Sequence, residues 1–276
     1  MKEKSLKDLK LGIVGVGMVG GALKKYFEKK DRQVFAYDKG QGLGSMDDVN
    51  QADIIFVCVP TPFDKDNGFD LSYVKDVCNN ISGEKIIVIK STVLPGTTES
   101  LQKEYPRHKF LFNPEFLTET IADHDTNFPK RQIIGFTEKS EDVAAGVLEI
   151  LPKAPFQKIT LSKNAEMIKY FGNNWYAVKV IFANQMYDLC EKIGVDYEVV
   201  RESAGAEPMV GSSHLEIFHK GYRGYGGKCL PKDIKALIQF ADASGVDLKL
   251  HKTAEEINKK LMEGQGIDDP EKFSKR

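Results

Sequence analysis

Tryptophan occurs once in the 276 residues, and cysteine only four times, at Cys58, Cys78, Cys190 and Cys229. No C-x-x-C pair is present, and no Cys/His grouping has zinc spacing, so a structural metal knuckle and a dithiol redox motif are excluded. So sparse a set suits free thiols in a reducing cytoplasm better than a disulfide framework. Neither sign of charge dominates. The formal net charge of −1 gives no overall reason to expect nucleic acid or an acidic membrane as partner. No stretch approaches the roughly 18 consecutive apolar residues of a membrane span. Met1–Lys10 is lysine-rich and runs into the apolar Leu11–Val19. That run is dense in glycine and enters a charged amphipathic segment without a cleavage-like site, unlike a secretory leader. Internal repeats and low-complexity tracts are also lacking. What remains is an ordinary globular composition, 41% hydrophobic and 29% charged, long enough for one large domain or two smaller ones.

The first half alternates short apolar runs with amphipathic stretches. Leu11–Val16, Gln33–Tyr37, Asp53–Val59, Lys85–Ile89, Lys109–Phe112 and Gln132–Phe136 are predicted strands, and Met18–Lys30 and Leu71–Ile81 predicted helices. Continuous apolar strands between helices imply a parallel sheet covered on both faces. After about Thr160 the strand signals stop. Ser162 is the candidate N-cap of a helix that continues to Ile193, where Gly194 can end it. Further helices are expected from Tyr197, over Pro231–Ala243 and over Val246–Met262. The division expected is 1–160 for a nucleotide-binding domain, 161–264 for a helical domain that also carries dimerisation, and 265–276 for a polar tail.

Gly15-Val16-Gly17-Met18-Val19-Gly20 follows the first predicted strand and opens the first predicted helix, with Asp38 at the end of the second strand. A lone G-x-G-x-x-G means little. In this context it is the fingerprint of a Rossmann-type doubly wound sheet. The glycines let backbone approach a pyrophosphate, and the helix N-terminus supplies free N–H groups. Asp38 would accept hydrogen bonds from a ribose diol and repel a 2′-phosphate, which favours NAD over NADP. Lys39 beside it would tolerate a phosphate and weakens that preference. The bland alternative is a glycine-rich turn in a protein that binds no nucleotide.

A second unusual segment is Gly224-Tyr225-Gly226-Gly227-Lys228-Cys229-Leu230-Pro231-Lys232-Asp233. Three glycines precede the cysteine, and Pro231 suits the first turn of a helix. The positive end of a helix dipole favours a thiolate, and Lys228 and Lys232 add to that field. Cys229 therefore reads as an activated nucleophile. Cys58, Cys78 and Cys190 read as small buried hydrophobes.

With both ends in view the chain resembles the UDP-glucose/GDP-mannose 6-dehydrogenases from about Lys10 to about Lys260. The resemblance is carried by the glycine fingerprint, Val59-Pro60-Thr61-Pro62, Ser91-Thr92-Val93 with Pro95-Gly96-Thr97-Thr98, Asn113-Pro114-Glu115-Phe116-Leu117, Ala165-Glu166 through Lys169 to Asn173, and the Cys229 segment. It implies a Rossmann-type sheet followed by an all-helical domain with one long central helix. It also implies oxidation of a primary alcohol at sugar C6 to a carboxylate with two NAD, through a thiohemiacetal and a thioester on Cys229, as a step toward polysaccharides. Lys169 and Asn173, four apart on one helix, match the pair that stabilises the tetrahedral oxyanion. Glu115 matches the carboxylate that activates water for thioester hydrolysis. Thr92 and Asp233 match the pair that holds a water for proton transfer. Val59, Pro60, Thr61, Ser91, Glu119 and Lys232 match positions around the cofactor. A homodimer through the long helix is implied, with Trp175, Tyr176, Ile181 and Phe182 as contact candidates.

Two departures qualify the resemblance. Family members continue into a third domain, so the chain is expected to be a natural short form, a piece of something longer, or one part of a split enzyme whose partner chain supplies that domain. An Arg-Ile-Gly element that precedes the family's cysteine is replaced by Met209-Val210-Gly211, with Lys220 and Arg223 the nearest cations downstream. Two other readings stay open: a two-electron dehydrogenase of small hydroxy acids, which leaves Cys229 unexplained, and a non-catalytic NAD-binding or scaffold protein.

Overall fold

The computed structural model describes residues 9–66 and 68–271. Most of Met1–Lys10 and the last five residues of the polar tail lie outside that range. In chain order the elements are β1 (Leu11–Val14), α1 (Met18–Glu28), β2 (Val34–Tyr37), α2 (Met46–Val49), β3 (Ile54–Val57), β4 (Phe63–Asp64), β5 (Gly68–Phe69), α3 (Ser72–Asn80), β6 (Ile86–Ile89), α4 (Thr97–Glu104), β7 (Lys109–Phe112), α5 (Ala122–Asn127), β8 (Arg131–Phe136), α6 (Glu141–Ile150), β9 (Phe156–Leu161), α7 (Ser162–Ile193), α8 (Tyr197–Gly205), α9 (Leu230–Ala243) and α10 (Lys249–Glu263). Two compact units result. One holds the residues up to Pro62 and Phe69–Lys169, and the other holds 63–68 and the residues from Tyr170 onward.

The first unit is built on a seven-stranded sheet in the order β2-β1-β3-β6-β7-β8-β9. The strands from β2 to β7 pair in parallel, with Leu11 opposite Val34 and Ile54, and Ile86 opposite Ile54 and Lys109. Successive side chains of a strand point to opposite faces, and each face has its own core. Ile55, Val57, Ile87, Ile89, Phe110 and Phe112 pack on one side, and Ile54, Phe56, Val88 and Leu111 on the other. Burial on both faces is why these runs are apolar throughout rather than alternating.

The expected fold class is present, with one correction. The sheet is mixed, because β8 runs antiparallel to β7, and β9 then pairs parallel to β8. An apolar run carries no direction, so sequence could not show the reversal. β9 itself was not anticipated, since its residues are exposed or half-buried on an edge.

In the second unit α7 packs against α9 and α10 through Ala177, Val180, Ile181, Ile234 and Ala254. A further cluster, Ala183, Cys190, Tyr197, Leu215 and Ile217, continues along α7 toward α8. At 1.5 Å per residue the 32 residues of α7 span about 48 Å. Gly194, at φ +73°, ends the helix, and the Val195 N–H returns to the Cys190 carbonyl at 2.9 Å. Ser162 departs from expectation: it is the first helical residue, and its buried hydroxyl finds no hydrogen-bond partner among the described residues.

Candidate functional site

A parallel sheet delivers the loops after β1, β3, β6 and β7 to one edge, where ligands of doubly wound folds bind beside the strand-order reversal. Here β1 sits between β2 and β3, so that reversal falls at the glycine loop. Gly15 (φ +87°) makes the turn, and a side chain there would meet the Cys58 carbonyl oxygen at 2.7 Å. Gly20 packs so closely that an added Cβ would lie 1.9 Å from the Gly15 carbonyl oxygen. At Gly17, the N-cap of α1, an added Cβ meets nothing within 4 Å. The motif therefore combines two packing glycines with one that leaves bare backbone on an open side. Met18 and Val19 form the first turn of α1.

Asp38 follows β2 and accepts the Val16 N–H at 2.7 Å. The Gln41 N–H reaches its other oxygen at 3.0 Å, and the Gln41 side chain spans Asp38 (3.3 Å) and the Val16 carbonyl (2.9 Å). The carboxylate thus ties the glycine loop to the end of β2. Val59, Pro60 and Thr61 follow β3, and Ser91 and Thr92 follow β6. The two loops are laced together. Ser91 Oγ donates to the Val59 carbonyl at 2.6 Å, and Thr61 Oγ1 donates to the Thr92 carbonyl at 2.7 Å. Open Gly17, the Asp38 tie and the rigid loops beyond β3 and β6 fit a bound dinucleotide.

Glu115 lies in the loop after β7. Its Oε1 accepts the Phe116 N–H at 2.8 Å, and Lys90 Nζ lies 2.9 Å from its Oε2. Lys169 Nζ donates to the Glu115 carbonyl at 2.5 Å and sits 5.7 Å from the Phe116 ring centroid. The structure thus brings Lys169 to Glu115, and it adds Lys90, which sequence reasoning had missed. Glu119 is exposed on a short 3-10 turn, Glu119–Ile121. Buried Glu166 was also missed as an anchor: it accepts the Gly96 N–H (2.5 Å), the Thr98 N–H (2.8 Å) and the Thr98 hydroxyl (2.6 Å) at the start of α4. Burial raises its carboxyl to about 6 despite those donors.

In the second unit Cys229 is exposed and is the N-cap of α9, with Pro231 in the first turn. The loop ahead of it is held from α10. Buried Asn258 accepts the Tyr225 N–H at 2.7 Å and donates to the Tyr225 carbonyl at 2.9 Å. Gly224 (φ +85°) permits this, since a Cβ there would lie 2.6 Å from Asn258 Oδ1. Asp233, 1% exposed, accepts Asn173 Nδ2 at 2.5 Å and Lys232 Nζ at 2.7 Å. Asn173 and Lys232 therefore converge on Asp233. Elsewhere, burial pushes the Cys58 and Cys78 thiols up to about 12.

The comparisons with known proteins fall into place on this geometry. Residues 44–151 match the UDP-glucose/GDP-mannose dehydrogenase family, NAD binding domain, and residues 163–260 match that family's central domain. The chain belongs to this family. Its first unit is accordingly an NAD site. A relative from Bacillus subtilis (strain 168), the UDP-glucose 6-dehydrogenase TuaD, is 34% identical over 94% of this chain and 56% of its own length. The chain thus spans about half the length of the curated relatives it matches. Among solved structures, a UDP-glucose dehydrogenase from Pyrobaculum islandicum superposes with a TM-score of 0.81 at 25% identity, over 96% of this chain and 73% of that one. A 3-hydroxyisobutyrate dehydrogenase from Mycobacterium tuberculosis shares the fold alone, with a TM-score of 0.72 at 16% identity over 95% of this chain and 96% of its own. No helix among the described residues is long and apolar enough to cross a membrane.

Proposed function

We propose that the chain is an NAD-dependent nucleotide-sugar 6-dehydrogenase, oxidising the C6 alcohol of a sugar such as that of UDP-glucose to a carboxylate in two steps. The observation that carries this reading is an exposed thiol at the head of α9, in a chain of a family whose matched relatives are named UDP-glucose 6-dehydrogenases. A two-electron alcohol dehydrogenase has no use for such a thiol.

NAD, when bound, accepts the hydride in each oxidation. After the first, the Cys229 thiolate adds to the aldehyde carbon, and the carbonyl electron pair moves to oxygen. Lys169 and Asn173 stabilise that oxyanion. Loss of the second hydride from this carbon leaves a thioester. Glu115 takes a proton from water as the water oxygen bonds to the acyl carbon. The C–S bond then breaks with its electron pair returning to sulfur, and the carboxylate leaves. Thr92 and Asp233 hold the water that relays the proton of the first step, and Glu119 and Lys232 lie around the cofactor.

A homodimer through α7 belongs to the same proposal. Phe171, Trp175, Phe182, Leu189 and Ile193 are 50–76% exposed and recur at intervals of four and seven, the spacing of an apolar seam that needs a partner helix. We also infer a cytoplasmic setting, where a reactive thiol stays reduced.

Cys229→Ala tests the reading. It is expected to bind NAD like the parent and to form no acid from a panel of UDP-glucose, GDP-mannose and their N-acetyl relatives. A variant that still makes the acid removes the thiol from the chemistry.

A further inference from the structure

Lys90 sits at the end of β6 and is 6% exposed. A lysine is almost never buried so completely unless its charge is paired. Its Nζ donates to Asn113 Oδ1 at 2.7 Å and lies 2.9 Å from Glu115 Oε2. Asn113 is fully buried and cannot reverse its amide, because Nδ2 already donates to Gln132 Oε1 and to the Ile133 carbonyl, both at 2.8 Å. Its oxygen can therefore only accept, and what it accepts is the Lys90 ammonium. The ammonium is thus held from the sheet side and aimed at the carboxylate.

The two ends of the ion pair are not equivalent. The Lys90 side chain is 4% exposed and that of Glu115 is 22% exposed. The cation lies inside and the carboxylate outside. Each oxygen of Glu115 already holds one donor, Lys90 on Oε2 and the Phe116 N–H on Oε1. One further acceptor site per oxygen remains, and the outer side is where water can reach it. The proposed base thus has its rotation fixed by two donors and its charge balanced from behind.

We propose that Lys90 is a positioning residue for Glu115, holding the carboxylate oriented so that its free lone pairs receive the proton of the hydrolytic water. This rests on the reading of Glu115 as the base in thioester hydrolysis. It assigns Lys90 a part in that step alone, with none in hydride transfer or in formation of the adduct.

The test separates acylation from deacylation without a sugar nucleotide. Cys229 is acetylated with p-nitrophenyl acetate, and loss of the acetyl group from the Cys229 peptide is followed by mass spectrometry in wild type, Glu115→Gln, Lys90→Met and the double variant. Circular dichroism and NAD titration establish that each is folded. Should Lys90→Met not fold, Lys90→Gln, which keeps an N–H donor without the charge, takes its place. The expected result is deacylation slowed at least about a hundredfold in Glu115→Gln, the low end of what a general base supplies, and at least about tenfold in Lys90→Met, with acylation unchanged. The double variant is expected to be no slower than Glu115→Gln, because a residue that acts through another adds nothing once the other is gone. Lys90→Met deacylating at the wild-type rate, or single effects that multiply in the double variant, would overturn the proposal. Should Glu115→Gln itself deacylate normally, or Cys229 take no acetyl group, the underlying chemistry fails and this inference with it, an outcome distinct from failure of Lys90 alone.

Discussion

Replacing two glycines of the same motif by alanine should give opposite phenotypes. At Gly17 the added methyl group meets no protein atom within 4 Å. The fold loses only a good N-cap, which costs at most about 1 kcal/mol. The methyl group then occupies the open side on which a pyrophosphate must approach bare backbone. Losing one such close contact is worth at least about 1.4 kcal/mol, or tenfold in affinity. At Gly20 the added Cβ would lie 1.9 Å from the Gly15 carbonyl oxygen. Neither side can yield easily, since Gly15 is itself seated at φ +87° against the Cys58 carbonyl. Overpacking of this kind costs about 1–3 kcal/mol, or roughly 2–4 °C of melting temperature per kcal/mol for a unit of this size. Calorimetry and NAD titration on the two variants decide the matter. Gly17→Ala should melt near the parent and lose NAD affinity, whereas Gly20→Ala should melt several degrees lower. A Gly17→Ala protein that binds NAD like the parent would refute the reasoning, as would a Gly20→Ala protein of parental stability.

Three further outcomes follow from the structure. Glu166 has a folded-state value near 6, above the ordinary 4.5, so its contribution is fully present below about pH 4.5 and is lost as pH rises through 6. The loss is about 2 kcal/mol, so the stability gap between wild type and Glu166→Ala in urea titrations should narrow by that amount between pH 4.5 and 7, and a gap that widens contradicts the assignment. His108 is fully buried and held down to about 4 by its enclosure and by Arg107. The neutral ring stabilises the fold in full above pH 6.5, and up to about 3 kcal/mol is lost as pH falls toward 4; His108→Leu should remove that part of the acid sensitivity, as read by melts across the same range. Trp175→Asp with Phe182→Asp should turn a dimer into a monomer in sedimentation, and a wild-type monomer would remove the proposed α7 seam.

Much of this architecture could be read from residues alone because it is locally encoded. Apolar runs buried on both faces announce β1, β3, β6 and β7, and the unbroken helical spacing from Ser162 to Gly194 announces α7 to within a residue of its ends. The features that escaped depend on distant partners. α4 exposes much of its surface, burying only Thr98 and Leu101, and its N-terminus is secured by Glu166, some seventy residues away. β9 is a half-exposed edge strand with Gln157 and Lys158 in its run, so its apolar signal is diluted. Lys90 looks like an ordinary charge closing a strand. Its burial makes sense only once Asn113 and Glu115 are brought to it from the next strand and loop. The Lys169–Asn173 pair was legible as one helical face, yet the two residues hold different partners, Glu115 and Asp233, which spacing cannot reveal.

The most direct test of the central claim is the number of NADH formed per molecule of UDP-glucose consumed. Two NADH per sugar, with the C6 carboxylate as product and no released aldehyde, is the predicted result. One NADH per substrate, on a sugar or on a small hydroxy acid, would contradict the thiol chemistry assigned to Cys229.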